Sequence, residues 1–321
     1  MKTINELRII VEQELLSLQY PESPADLYAP IDYILALGGK RMRPILLLLA
    51  HQLYDDDIKK AISPAVAIEV FHNFTLLHDD IMDNAPLRRT QSTVHEKWNT
   101  NVAILSGDAM LIQSYQYLSG LEPKILKEVL TVFNKMAIEV CEGQQYDMDF
   151  EIQAEVGINS YLKMIEFKTA VLLASSLQIG ALIAGASSRE AEQLYLFGRD
   201  LGIAFQLKDD LLDVFGDQMK FGKKSGGDII ANKKTCLYLQ ALTKADGELK
   251  MELVNLYTSS DINPTEKIER VKAIYATLKI EDSTLEMIDD YYQKAMQNLS
   301  KVNGDKSELE AFAAMLKVRE S

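Results

Sequence analysis

An all-α fold is what this 321-residue sequence predicts, and three observations carry the prediction. The first is the spacing of its apolar residues. Val66, Val70, Phe74 and Leu77 recur every three or four positions between Ala61 and Asp83, as one face of a helix requires. Leu162, Ile165, Leu172, Leu173 and Leu177 fall at helical spacings, three, four or seven apart with one adjacent pair, between Tyr161 and Leu182. The second is the placing of proline: none stands between Pro123 and Pro264, so helix can follow helix with short breaks. The third is the near absence of alternating strand patterns closed by Asn-Gly or Asp-Gly turns; Asp246-Gly247 stands between helical patterns. No internal repeat and no Ser/Pro/Gly linker divides the chain, so one domain over residues 1–321 is expected. Helices apolar nearly all round, such as 161–184, belong at the centre of a helical bundle.

The elements follow in order. The first sixteen residues set Glu6, Arg8 and Glu12 among apolar neighbours, which reads as an amphipathic helix and not a signal peptide. The apolar run Ile45–Ala50 follows Pro44 and falls far short of the roughly 18 residues of a membrane span. No transmembrane segment is expected. The helix carrying residues 61–83 must stop near Ala85, because Pro86 biases its predecessor out of helix. The helix carrying 209–213 meets Gly216, a natural stop. Cys141 and Cys236 form no CxxC pair, which points to a reducing cytoplasm.

Hydrophobic residues make up 47% and charged residues 25%, ample for a packed core. The charge of −13, from 47 acids and 34 bases, argues against duplex nucleic acid as a partner. A small anion remains possible because the bases are clustered. Lys40, Arg41 and Arg43 form one group, Arg88 and Arg89 a second, and Lys220, Lys223, Lys224, Lys233 and Lys234 a third.

Two segments read DDxxD: Asp79, Asp80 and Asp83, then Asp209, Asp210 and Asp213. In a helix, residues i and i+4 share a face about 5–6 Å apart at Cβ, so Asp79 converges with Asp83 and Asp209 with Asp213. Each motif falls in the last turns of its helix, where the macrodipole is negative and favours a cation. Crowded carboxylates there oppose the fold unless something positive binds. Oxygen ligands without nearby Cys or well-spaced His favour Mg²⁺ over Zn²⁺. Mg²⁺ held by few carboxylates completes its shell with water and phosphate oxygens. The pattern therefore implies a phosphorylated ligand bridged by metal. Lys40 and Arg43, spaced i and i+3, with Arg88 and Arg89 after the first motif, imply a second phosphate group bound without metal. Lys168 lies in a nearly all-apolar helix and needs an anion to meet.

With these residues in view, the chain resembles the polyprenyl synthetases, the trans-isoprenyl diphosphate synthases. The resemblance runs from the first helix to about residue 240, through GGKRMRP (38–44), HNFTLLHDDIMD (72–83), LRR (87–89), AILSGDAML (103–111), GQQYD (143–147), FKTA (167–170), QLKDDLLD (206–213), GKKSGGD (222–228) and NKKT (232–235). It departs after the arginine pair, where Thr90-Gln91-Ser92-Thr93 replaces the usual Gly-x-Pro-Thr, and at Asn99, where Gly is common.

The resemblance implies a deep central cavity with the two triads facing each other across its mouth. It implies that the six aspartates hold three Mg²⁺ ions on an allylic diphosphate. Arg88, Lys168, Thr169, Gln206, Lys223 and Lys233 would contact that diphosphate, with Lys168, Thr169 and Gln206 nearest the chemistry. Lys40, Arg43, His72 and Arg89 would hold isopentenyl diphosphate without metal. His78 is expected to be structural or to orient Asp79. The implied reaction is head-to-tail condensation to a medium-chain trans-polyprenyl diphosphate by a cytoplasmic homodimer. Chain length would be read at Phe74, Thr75 and Phe71, with Phe74 roughly 7.5 Å and Phe71 about 12 Å below Asp79 along the helix. Aromatic residues at both the fourth and fifth positions before the first aspartate accompany farnesyl products in the family. Here Phe74 is the fifth and Thr75 the fourth, which favours geranylgeranyl diphosphate, with farnesyl diphosphate the alternative. A terpene cyclase is disfavoured by the second DDxxD, a non-catalytic subunit by the retained aspartates, and a Mg²⁺-phosphate hydrolase by Lys40 and Arg43.

Overall fold

The computed structural model describes residues 1–216, 226–259 and 261–318. The helices are α1 (Ile4–Ser17), α2 (Ala25–Ala36), α3 (Met42–Gln52), α4 (Lys59–Met82), α5 (Val94–Lys97), α6 (Thr100–Leu118), α7 (Pro123–Ile152) and α8 (Ile158–Ile165). A π-helical turn, Glu166–Ala170, leads into α9 (Val171–Ile183). There follow α10 (Ser188–Phe215), α11 (Gly227–Ile230), α12 (Cys236–Lys244), α13 (Gly247–Thr258), α14 (Pro264–Thr277), α15 (Ile280–Ser300) and α16 (Ser307–Val318). Among the described residues the strands are one antiparallel pair, β1 (Leu87–Arg88) and β2 (Gln91–Ser92). The fold is all-α, as the apolar spacing requires.

These residues group into two compact units. The first comprises Met1–Lys135, Ser175–Tyr195 and Val302–Leu309. Thr3 opens α1 with a reciprocal cap: its hydroxyl accepts from Glu6 N, and its own N donates to Glu6 at 2.8 Å. Leu7, Val11 and Leu15 form the buried face of α1. In α3, Leu46 to Leu49 are all buried, so this helix is apolar all round and central. Helix α4 packs against α3 and α6. Its end is a left-handed cap: Asn84 has φ 49°, Ala85 N donates to Asp80 O at 2.9 Å, and Asn84 N donates to Ile81 O at 3.2 Å. The stop expected before Pro86 is thus built on Asn84.

The second unit comprises Met136–Ala174, Leu196–Lys301 and the chain from Glu310 onward. Its core gathers Tyr161 and Ile165, Leu207 and Leu211, Leu237, Leu253 and Tyr275. Tyr238 stacks on Tyr257 with ring centroids 4.1 Å apart, and the Tyr257 and Tyr275 hydroxyls meet at 3.0 Å. Gly202 brings α10 onto the π-turn, where a Cβ would lie 2.7 Å from Ala170 Cα. Helix α10 ends at Phe215 before Gly216, as expected. The stretch Ile158–Ile183 is long and apolar enough to cross a bilayer, and 72% of its most apolar window is buried within the fold, as in a core helix.

Candidate active site

In the first unit, the loop between α2 and α3 presents the first basic group. Gly38 (φ 77°), Gly39 (φ 143°) and Arg41 (φ 49°) are all left-handed, so the loop doubles back within four residues. Arg41 points inward: its guanidinium donates to Glu69 Oε1 at 2.7 Å and to the Leu35 carbonyl at 2.7 Å. That buried pair pins the loop and leaves its neighbour Lys40 exposed. The Arg89 guanidinium lies so close to Gly39 that a Cβ there would sit 2.8 Å from it.

Arg43 lies 3.0 Å from His72 Nε2. A guanidinium can only donate, so Nε2 accepts and the ring proton is on Nδ1. Burial, with Arg43, Arg89, Arg88 and Arg41 around it, holds His72 well below the usual imidazole range. It is therefore neutral at pH 7. Burial pushes Arg43 down to about 10; Arg89 adds to this and Glu69 opposes it. Lys40, Arg43, His72 and Arg89 thus share one region rich in positive charge and N–H donors.

Arg88 sits on β1 and clasps Asp80 with Nε at 2.8 Å and a terminal nitrogen at 2.7 Å. The hairpin turn beside it, Arg89-Thr90, has φ 52° and 67°, which matches the two positive φ values of a type I′ turn. A β-branched residue is costly in this region, about 1–2 kcal/mol. Thr90 stands where the family pattern has glycine, so this is the physical content of that departure. Tyr33 braces the hairpin by donating to Ser92 O at 2.7 Å, and Thr93 by donating to Ala85 O at 2.8 Å.

In the second unit a cavity of ≈ 430 Å³ is lined by Asp147, Tyr161, Lys168, Thr169, Gln206, Asp210, Asp228, Lys233 and others. Lys168, Thr169, Gln206 and Lys233, which the resemblance assigns to one diphosphate, line one cavity. The anion that Lys168 requires is supplied by the chain itself: its Nζ is 2.5 Å from Asp147 Oδ2. Thr169 Oγ1 donates to Gln206 Oε1 at 3.4 Å, and Gln206 Nε2 donates to Asp210 Oδ1 at 3.3 Å. Asp210 also accepts from the Tyr161 hydroxyl and from Cys236 N. Burial pushes the Asp210 carboxyl up to about 7 despite these bonds. Lys234 donates to the Phe150 and Gln153 carbonyls and closes the end of α7. Lys223 lies outside the described residues.

The aspartates divide by position. Asp80 and Asp210 are 2% and 4% exposed, with their oxygens engaged by protein donors. Both are tied into the protein as internal struts by these bonds. Asp79 and Asp209 are half-buried and Asp83 is exposed. Asp213 is half-buried and accepts from Asp228 N at 3.0 Å through one oxygen. Among the described residues no three His, Cys, Asp or Glu converge as a preformed metal cage. Mg²⁺ does not require one, since it takes one or two carboxylates and fills its shell with water and phosphate. The outer aspartates, all hard oxygen donors at helix C-termini, fit that ion.

On α4, Phe71 is 1% and Phe74 9% exposed, with ring centroids 5.5 Å apart. Phe74 also meets His78 edge to face at 4.8 Å, and Phe71 meets Phe133 at 5.2 Å. Thr75 folds its hydroxyl back to His72 O at 2.8 Å. His78 contacts Ile104 O at 3.3 Å and covers Gly107, where a Cβ would lie 2.2 Å from Nε2. It is a packing residue.

Sequence reasoning missed Tyr161 and Asp228, and it left Asp147 without a role. It also passed over Gln144, which is buried with both amide atoms unpaired.

A polyprenyl synthetase profile matches residues 24–278. A geranylgeranyl diphosphate synthase of Methanosarcina mazei is 42% identical over 233 residues, 72% of this chain and 71% of that one. A geranylfarnesyl diphosphate synthase of Natronomonas pharaonis is 39% identical over 257 residues, 74% of this chain and 75% of that one. A crystal structure of a geranylgeranyl pyrophosphate synthase superposes with a TM-score of 0.95 at 44% identity, covering 100% of both chains. With both carboxylate motifs and all three groups of bases inside the matched span, the chain belongs to the polyprenyl synthetase family.

Proposed function

We propose that this prenyltransferase joins isopentenyl diphosphate head to tail to an allylic diphosphate and releases geranylgeranyl diphosphate. The observation that carries the reading is the cluster of Lys40, Arg43, His72 and Arg89 around a neutral imidazole. It is a diphosphate site made of bases and N–H donors. Isopentenyl diphosphate, which keeps its diphosphate throughout, suits a site that binds without assisting departure. The allylic diphosphate is assigned to Lys168, Thr169, Gln206, Lys233 and Arg88.

Asp79, Asp83, Asp209 and Asp213 are the residues that would hold Mg²⁺. Bound there, the ions would stabilise the charge that develops on the departing diphosphate. The protein's part is to place Lys168 where that charge develops. The carbon–oxygen bond breaks to leave an allylic cation, which the isopentenyl double bond attacks to form the new carbon–carbon bond. The cation so formed sheds a proton to the released diphosphate as the new double bond closes, so no side-chain base is needed.

Thr75 beside Phe74 favours the C20 product. Farnesyl diphosphate is the second reading, because Phe74 is braced on both sides by Phe71 and His78. Leu105 and Ile112, 60% and 61% exposed and two turns apart on α6, support a homodimer through that helix. Light scattering that gives a monomer would remove this part of the proposal. Neither Cys141 nor Cys236 is in a disulfide, in keeping with a cytoplasmic setting.

The test is a product assay. Purified protein is mixed with Mg²⁺, isopentenyl diphosphate and each of three allylic primers, and the dephosphorylated products are separated. A C20 alcohol supports the proposal, and a C15 or C25 endpoint overturns the assigned length. Phe74→Ala is expected to lengthen the product. An unchanged distribution would mean that Phe74 does not set it.

A further inference from the structure

The motif Gly143-Gln144-Gln145-Tyr146-Asp147 takes no part in the chemistry proposed above. Yet α7 brings it against the π-turn that carries Lys168 and Thr169. A Cβ on Gly143 would lie 2.2 Å from Lys168 N, 2.6 Å from Lys168 Cα and 2.6 Å from the Phe167 carbonyl carbon. All three are backbone atoms and cannot move aside. Only glycine allows α7 to touch the π-turn here. One helical turn further on, Asp147 Oδ2 meets Lys168 Nζ at 2.5 Å, and both side chains line the cavity. The π-turn itself is a third observation. Residues 166–170 interrupt an otherwise α-helical run between α8 and α9. Such turns are rare and, inside α-helices, recur at functional sites.

We propose that Gly143 and Asp147 are positioning residues for Lys168. Gly143 sets the distance between the helices, and Asp147 holds the ammonium at one point of the cavity wall. This inference rests on the assignment of Lys168 to the allylic diphosphate. A lysine has a long flexible stem, and its ammonium is a point charge without the directional fork of arginine. A fixed partner restores the direction that the side chain lacks.

Asp147 also brings a negative charge near the place of an anionic substrate, which gives the proposal a kinetic signature. Removing its charge should cost placement of Lys168 in the transition state and at the same time ease ground-state binding. Turnover falls while KM for the allylic diphosphate stays level or drops. A residue that only supported the fold would lower the unfolding midpoint and the active fraction, and would leave the KM of active molecules alone.

The experiment is a double-mutant cycle on the full chain with Mg²⁺ and both substrates, using Asp147→Asn, Lys168→Met and the pair. Asp147→Asn is expected to lower kcat by about tenfold. Lys168→Met is expected to lower kcat/KM for the allylic diphosphate at least as much. The double variant should be no worse than Lys168→Met alone, and Asp147→Glu should recover part of the loss. Thermal midpoints serve as the folding control. Wild-type kcat in Asp147→Asn, or losses that simply multiply in the pair, would overturn the inference and leave Lys168 assigned. Wild-type turnover in Lys168→Met would overturn that assignment and the inference with it.

Discussion

The motifs at 79–83 and 209–213 read alike, and each turns its middle aspartate inward, yet they use it differently. Asp80 faces a cation. Arg88 clasps it with two nitrogens, so a charged pair links α4 to the hairpin that carries Arg88 and Arg89. Asp210 faces neutral donors: the Tyr161 hydroxyl, the Gln206 amide and Cys236 N. Burial lifts its carboxyl to about 7, and the charge of Asp228 adds to the lift. The same five-residue pattern on the same kind of helix end thus yields an ionic strut in one case and a hydrogen-bonded network in the other. Spacing decides which way a carboxylate points, and the partner decides what its charge is worth.

The outer aspartates bound the comparison, because neither strut accounts for them. Asp79→Ala or Asp209→Ala should lower kcat by orders of magnitude while the fold survives, since either change relieves carboxylate crowding. EDTA should abolish wild-type activity, and Mg²⁺ or Mn²⁺ should restore it. Near-normal turnover in either variant would remove the metal assignment for that motif.

The struts themselves should differ. Asp80→Asn leaves Arg88 without its counter-charge, and loss of a hydrogen bond to a charged group is worth roughly 1.5–3 kcal/mol. A ten- to hundredfold fall in kcat/KM is expected, with a lower unfolding midpoint. Asp210→Asn keeps the shape, and its hydrogen-bond partners are neutral, so its loss should be smaller by both readouts. Equal losses would show that the cation opposite Asp80 adds nothing beyond hydrogen bonding.

Lys40 and Lys168 extend the comparison to the two diphosphates. Lys40→Ala should raise KM chiefly for isopentenyl diphosphate, by about ten- to a hundredfold. Lys168→Ala should act on the allylic substrate. If both variants weaken the same substrate equally, the assignment of two separate sites fails.

Much of this was legible before the structure. Helix spacing, the stop before Pro86 and the stop at Gly216 are local properties, and they appear where periodicity and backbone chemistry put them. The outward pairs of each motif follow from i, i+4 geometry alone. The partners of the middle aspartates were not legible. Arg88 is close in sequence to Asp80, but Tyr161 and Cys236 reach Asp210 only through packing of α8 and α12 against α10. Lys168 gave the right signal, a cation in an apolar helix. Its partner lay in a motif that was recognised and given no role, because pairing Asp147 with Lys168 depends on Gly143 lying against the π-turn. The Thr90 departure was visible as a residue change, and only the backbone shows that it falls at a left-handed position.

The smallest effect concerns the neutral imidazole that accepts from Arg43. The folded pKa of His72 lies well below its unfolded value of 6.5, through burial first and then Arg43, Arg89, Arg88 and Arg41. Between those two values the unfolded chain binds the proton and the folded chain does not. Stability therefore rises with pH across that window and is lost as pH falls below 6.5. His72→Gln keeps an acceptor for Arg43 and removes the titration. On lowering the pH from about 7.5 to about 5.5, the wild-type unfolding midpoint should drop more than that of His72→Gln, by about 2 °C at this chain length. Saturating inorganic diphosphate should narrow the gap, because an anion beside the arginines offsets the field that keeps His72 neutral. Parallel pH slopes in the two proteins would mean that His72 is protonated alike in both states, and Nε2 would then not be the acceptor that Arg43 requires.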